Sequence, residues 1–246
     1  MSHDYWLRKG LNESTKDRKI KCFENAIRKY STHEIFAFDE LGHWIAGYLK
    51  LSKIDSFTTY RFFGSVHDRL GNAKIAIKYY KNAIDIDPND EFIWHRIAEN
   101  YRNLLNYENI IECYEKSIKI DPNIKFKWIN LGEAYFNLKK HEKAIECYQK
   151  ALAIEEQYPE QIDLINAWEG LGNAHKELKN YEKAIKCYEK VIKLDYNYDL
   201  AWENMGFIYE ELKNYPKAIE CYKNALRINK FNEIAKERLE KCESKE

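Results

Sequence analysis

From residue 57 onward the apolar positions of the chain return in pairs of short helical stripes. In the segment 125–158 the first stripe is Trp128, Leu131, Gly132 and Tyr135, at i, i+3, i+4 and i+7. That spacing predicts one helix from about Phe126 to Leu138. A second stripe, Ala144, Tyr148 and Ala151, predicts another helix from about Glu142 to Ile154. The polar stretch LKKHEK between them is short enough to return the chain antiparallel. Small residues (Gly132, Ala144) fall where the two backbones come closest, and the large aromatics Trp128, Tyr135 and Tyr148 fill the space around that contact.

The same two-helix pattern recurs in WHRIAENY, WINLGEAY, WEGLGNAH and WENMGFIY, opened by Trp94, Trp128, Trp168 and Trp202. A weaker copy, YRFFGSVH, starts at Tyr60. The resulting units are 57–90, 91–124, 125–158, 165–198 and 199–232, each 34 residues long, with six extra residues around Tyr158–Leu164. A fixed period of this size marks a stack of one supersecondary unit. Asp87-Pro88 and Asp121-Pro122 close two of the units, because proline cannot continue the preceding helix.

The small/large pattern and the period resemble the tetratricopeptide repeat, in phase over residues 57–232. The resemblance implies an all-α, right-handed α-solenoid of stacked antiparallel helix pairs. Residues 1–56 form a worn version of this plan. Residues 4–29 suggest a degenerate hairpin, and a Ser31/Glu34 capping box opens a helix at about 33–51. That helix is apolar on nearly every side, with Phe36, Phe38, Trp44 and Tyr48 among its large residues. Such a helix packs internally or forms an interface, including one between copies of the chain. Residues 233–246 predict a polar helix that ends the stack.

Composition narrows the function. Forty basic and forty acidic residues cancel to zero net charge, which disfavours a general nucleic-acid binder. No run of 18 apolar residues predicts a membrane span, and the first residues lack the apolar core of a signal peptide. The expected location is cytoplasmic. Cys113, Cys147, Cys187 and Cys221 share one repeat phase, as does Cys22 in the worn copy, and no C-x-x-C occurs. They are expected to be buried packing residues, with no metal and no cofactor. His67, His141 and His175 stand where other units carry tyrosine and are read in the same way. Nucleotide loops and hydrolase motifs do not occur, so a non-enzymatic scaffold is expected.

In tetratricopeptide proteins the first helix of each pair lines a concave groove, through the second, fifth, sixth, ninth, twelfth and thirteenth positions of each unit. Carried onto this chain, the resemblance selects Arg61, Phe62 and Arg69 in the first unit, and His95, Arg96 and Arg102 in the second. It selects Phe126, Asn130, Glu133 and Asn137 in the third, with Asn173 in the fourth and Asn204 in the fifth. Arginines gather at one end, while Glu169, Glu177, Glu203, Glu210 and Glu211 gather at the other. That grading would orient an extended, polarised segment. An asparagine amide both donates and accepts, so it can pair with a peptide bond without reading the side chain. The family's clamp for a C-terminal carboxylate is incomplete here, because Ser65 and Phe126 occupy two of its positions. The sequence thus points to a scaffold that holds a protein or peptide segment in its groove. A self-assembling subunit using the 33–51 helix is the alternative.

Overall fold

The computed structural model describes residues 56–155 and 160–245, and every regular element among them is a helix. The degenerate N-terminal hairpin and the 33–51 helix, with Phe36, Phe38, Trp44 and Tyr48, lie outside the described residues. The chain falls into two compact units, the first ending at Asn106 and the second starting at Tyr107. This boundary lies between the two helices of the second repeat as the sequence frames it.

The first unit contains α1 (Ser56–Arg69), α2 (Ala73–Ile84) and α3 (Glu91–Asn103). The second contains α4 (Tyr107–Ile120), α5 (Lys125–Asn137), α6 (His141–Ala153), α7 (Gln161–Glu177), α8 (Tyr181–Leu194), α9 (Asp199–Glu211), α10 (Tyr215–Ile228) and α11 (Glu233–Glu243). Helices pack in the order of the chain, α5 on α6, α7 on α8 and α9 on α10, with each pair packed on the next. This is the stacked-pair α-solenoid that the pattern predicts.

Three recurring features make the pairs. At the close approach, a Cβ on Gly132 would lie 2.9 Å from the Tyr148 ring, so the second-helix tyrosine packs directly on first-helix backbone. Tyr80, Tyr114, Tyr188 and Tyr222 occupy the same place in the other units and are fully buried. At the unit junctions the tryptophans pin the preceding turn. The indole Nε1 of Trp94 donates to the Pro88 carbonyl at 2.9 Å, that of Trp128 to Pro122 at 2.8 Å, and that of Trp202 to Tyr196 at 3.2 Å. Between the helices of each pair, one residue takes a left-handed conformation: Gly71, Leu105, Lys139, Lys179 and Lys213. The amide of the following residue then bonds back to a carbonyl five residues earlier, as in Lys140 N–H to Tyr135 at 2.9 Å. That bond closes the helix end.

The cysteines behave as packing residues. Cys113, Cys147, Cys187, Cys221 and Cys242 are buried thiols, and burial pushes those of Cys147 and Cys221 up to about 12. His67 is buried with its ring stacked on Tyr79, 5.5 Å between centroids. His175 is buried too, and burial lowers its pKa. His141 meets Phe136 edge-on at 5.1 Å. At the junction after the third repeat, residues 161–164 are helical, so α7 has 17 residues where α5 and α9 have 13. The extra turn is tied down by Gln161, whose Nε2 donates to the Leu194 carbonyl at 2.7 Å. The last helix, α11, is capped by Asn232, which accepts from the Ala235 amide at 2.9 Å. It buries Ala235 and Cys242 against α10.

Candidate functional site

The groove positions of successive first helices meet in a regular way. The twelfth residue of one unit reaches the sixth residue of the next, 28 positions further along. Asp68 pairs with Arg96 in the first compact unit, and the Tyr80 hydroxyl donates to the same carboxylate at 3.4 Å. In the second unit, Lys176 Nζ donates to Asn204 Oδ1 at 2.6 Å. Arg238 of α11 donates to Glu210 Oε2 at 2.9 Å, joined by Lys241 on Oε1 at 2.8 Å and the Tyr222 hydroxyl at 3.1 Å. Burial alone would raise the carboxyl pKa of Glu210, but the bonds from Lys241, Arg238 and Tyr222 outweigh it and hold the group below its ordinary range.

One step breaks the pattern. Between α5 and α7 the twelfth residue is Phe136 and the sixth is Gly170, so no side-chain hydrogen bond can join these two positions. Here the surface opens into a recess of about 430 Å³. From α5 it is lined by Ile129, Asn130, Glu133, Phe136 and Asn137, and from α7 by Asn166, Glu169, Gly170 and Asn173. Its floor is the Tyr148 ring, which reaches between the helices because residue 170 has no side chain: a Cβ there would lie 2.3 Å from the ring. Two carboxylates and four carboxamides line the recess, with no Lys or Arg among them.

The carboxamides are partly oriented. Asn137 Nδ2 donates to the Glu133 carbonyl at 2.9 Å, which leaves its oxygen as an acceptor. Asn173 Oδ1 accepts from the Tyr188 hydroxyl at 2.7 Å, which leaves its NH2 as a donor. Asn166 is exposed. Glu169 Oε2 accepts from the Tyr198 hydroxyl at 2.7 Å, fixing that carboxylate at the rim. The wall therefore offers both hydrogen-bond polarities, which a peptide backbone requires.

Of the positions selected from the sequence, the structure brings Asn130, Glu133, Asn137 and Asn173 together in this recess. Phe126, in the first turn of α5, is half-buried and is not part of the lining. Asn204 belongs to the closed step beside it, where it holds Lys176. Phe62 is buried, edge-on to its neighbour Phe63 at 5.6 Å. His95 is half-buried, and burial lowers its pKa. Arg69 is exposed at the end of α1.

Several charged residues of the expected grading have partners within the chain. Arg61 lies 3.9 Å from Asp90 and carries the Phe92 ring 5.0 Å from its guanidinium carbon. Arg96 is held by Asp68, and Arg102 by Glu99 at 3.5 Å. At the other end, Glu203 takes Asn232 and Glu210 takes two cations of α11. Register on one helix face does not reveal these neighbours, most of which come from the adjacent first helix or the terminal helix. Gly170 falls at the sixth groove position of its unit, where other units carry a side chain, and its bare backbone opposite Phe136 is a signal readable in the sequence.

A stack of helix pairs with an open polar groove defines a helical-repeat protein that interacts through its surface. Models of the tetratricopeptide repeat match residues 59–90, 93–124, 126–197 and 200–232, more than two thirds of the chain. The chain belongs to the tetratricopeptide repeat family, whose members are typically non-catalytic scaffolds for protein interaction. Its fold is similar to the crystal structure of MamA, at 25% identity and a TM-score of 0.65, over 71% of this chain and 92% of that one. MamA from Desulfovibrio magneticus RS-1 is similar at 20% identity and 0.65, covering 72% and 97%. YrrB, described as a TPR protein with an unusual peptide-binding site, has 18% identity and 0.63, covering 77% and 94%. No curated protein matches the chain. Among the described residues no helix is long and apolar enough to cross a membrane.

Proposed function

We propose that this scaffold holds an extended, basic segment of a partner protein in the recess between α5 and α7. The observation that carries the reading is the lining itself: four asparagines and two glutamates around an aromatic floor, at the step where the twelfth-to-sixth bridge is missing. Asn130 and Asn166 pair with peptide groups of the segment, and Asn137 and Asn173, oriented by bonds of their own, offer an acceptor and a donor beside them. Phe136 and Tyr148 supply apolar contact, and Glu133 and Glu169 favour a Lys or Arg side chain over an acidic one. A carboxylate-bearing segment would meet two like charges in this lining.

The test is to select peptides from a displayed random library on the intact chain, then measure each by calorimetry. Lys or Arg should be enriched, and Asn130→Ala with Asn166→Ala should weaken binding about tenfold or more, the loss expected for one or two hydrogen bonds. Glu169→Gln should remove the preference for the basic residue. Selected peptides that bind the asparagine variant as tightly as the parent chain would overturn the reading.

A further inference from the structure

The other flank of α5 carries a second cavity, which shares no lining residue with the recess. It has a volume of about 460 Å³ and lies among α4, α5 and α6. Its floor is apolar and buried, made by Ile118, Leu131 and Cys147, with the Trp128 indole as a wall. Three exposed lysines stand around the mouth: Lys119 on α4, and Lys143 and Lys150 on α6. The Lys150 ammonium lies 4.5 Å from the Trp128 ring centroid, and that of Lys143 lies 5.3 Å from Tyr135. No carboxylate lies within ion-pair distance of any of the three among the described residues. Of the two glutamates in the lining, Glu115 already accepts the Tyr135 hydroxyl at 2.8 Å, and Glu146 stands at the rim.

Repeat packing alone does not account for this. The fifth repeat places nearly the same residues at the same positions, with Glu189, Ile192, Lys193, Trp202, Tyr209, Lys217 and Cys221 as counterparts. The Lys217 ammonium even repeats the contact with Tyr209, at 5.2 Å. There, however, Tyr196 lies edge-on to Trp202 at 5.6 Å and carries Arg227, while Asn224 replaces the third lysine. In the third repeat Pro122 stands in the place of Tyr196, and the Lys150 ammonium lies over the indole. The copy in the fifth repeat thus has an aromatic residue of the chain against its indole, where the copy in the third repeat has a lysine.

We infer that this cavity is a second docking site, which takes an apolar anchor side chain flanked by carboxylates on a partner protein. An aromatic or leucyl anchor suits a cavity of this size with an indole wall and aliphatic floor. Carboxylates on either side meet three lysines, and the long lysine stem on Trp128 can swing to them while the anchor takes its place on the ring. The two sites on α5 would then select opposite charge: basic segments in the recess, acidic ones here. A single scaffold could hold two different segments at once, on opposite flanks of one helix.

The test follows the Trp128 indole N–H resonance of the full chain during titration with the capped peptide Asp-Glu-Leu-Phe-Glu-Asp and its charge-reversed form Lys-Arg-Leu-Phe-Arg-Lys. A saturable shift is expected with the acidic peptide and not with the basic one. Lys119→Glu with Lys150→Glu should weaken it at least tenfold, and Lys150→Ala, a milder change on an exposed helix surface, by a smaller factor. The recess variant Asn130→Ala/Asn166→Ala should leave the affinity unchanged. No saturable shift, equal response to both peptides, or equal affinity in the lysine variants would overturn the inference. So would a shift that follows protein concentration without peptide, since the occupant would then be a second copy of the chain.

Discussion

Two steps of the second compact unit use the same architecture to opposite ends. Between α9 and α11, Glu210 meets Arg238, Lys241 and Tyr222, and the surface is closed by the chain's own bonds. Between α5 and α7 the corresponding pair is Phe136 and Gly170, and a recess remains. Both steps are built from stacked helix pairs, although α7 carries an extra turn, and at the contact itself two side chains distinguish the closed groove from the open one. The α9–α11 step benefits from closure, because α11 has few apolar residues and is held by charge as well as by burial. An internal step is already fixed by the packing of α6 and α7, so it can leave its polar groups for a ligand.

The contrast is broken most severely at Gly170. Adding one methyl group, Gly170→Ala, puts a Cβ within 2.3 Å of the Tyr148 ring, which is buried and cannot simply swing away. The expected cost is about 3 kcal/mol, the upper part of the range for overpacking, read as a lower denaturant midpoint. Peptide binding in the recess should fall with it, because the displaced ring is the recess floor. An unchanged midpoint would mean that the α5–α7 step is not packed as described.

At the closed step, Glu210→Gln should destabilise the chain by about 2 kcal/mol, since it weakens charge-assisted bonds to a largely buried group. The sign of the pH dependence follows from the lowered pKa. The Glu210 carboxylate contributes its stabilisation fully above the ordinary carboxyl value of 4.5 and loses it as pH falls through the lower folded value. Acid unfolding followed by circular dichroism should therefore start at higher pH in the parent chain than in the Glu210→Gln variant, once their neutral-pH stabilities are normalised. Parallel curves would show that Glu210 is not held by α11.

The fold was readable because each unit repeats its small and large positions, and Gly132 against Tyr148 is a packing rule visible in one dimension. The groove was half readable. Register on single helices selected Asn130, Glu133, Asn137 and Asn173, and all four line one recess in the structure. It could not tell that Asn204 is taken by Lys176, or that Glu210 is taken by α11, because those partners come from another helix 28 residues away. Phe62 shows a second limit of register. An apolar ring at a groove position beside Phe63 gains more from burial than from display, and periodicity assigns a face without assigning a depth.

The smallest expected effect isolates what the two steps share. Both first helices end in a lysine with positive φ, Lys139 (60°) at the open step and Lys213 (58°) at the closed one. A non-glycine residue in this conformation costs roughly 1–2 kcal/mol, against which glycine loses some of the gain through its freer unfolded chain. Lys139→Gly and Lys213→Gly should each stabilise the chain by about 0.5–1 kcal/mol, measured as a rise in denaturant midpoint. The first repeat already has Gly71 at this position, and Gly71→Ala should lose a similar amount. Equal gains at Lys139 and Lys213 would place the difference between the two steps in the Phe136/Gly170 and Glu210/Arg238 pairs. Unequal gains would place part of it in the helix ends, and the side-chain account of the recess would have to give way to a backbone one.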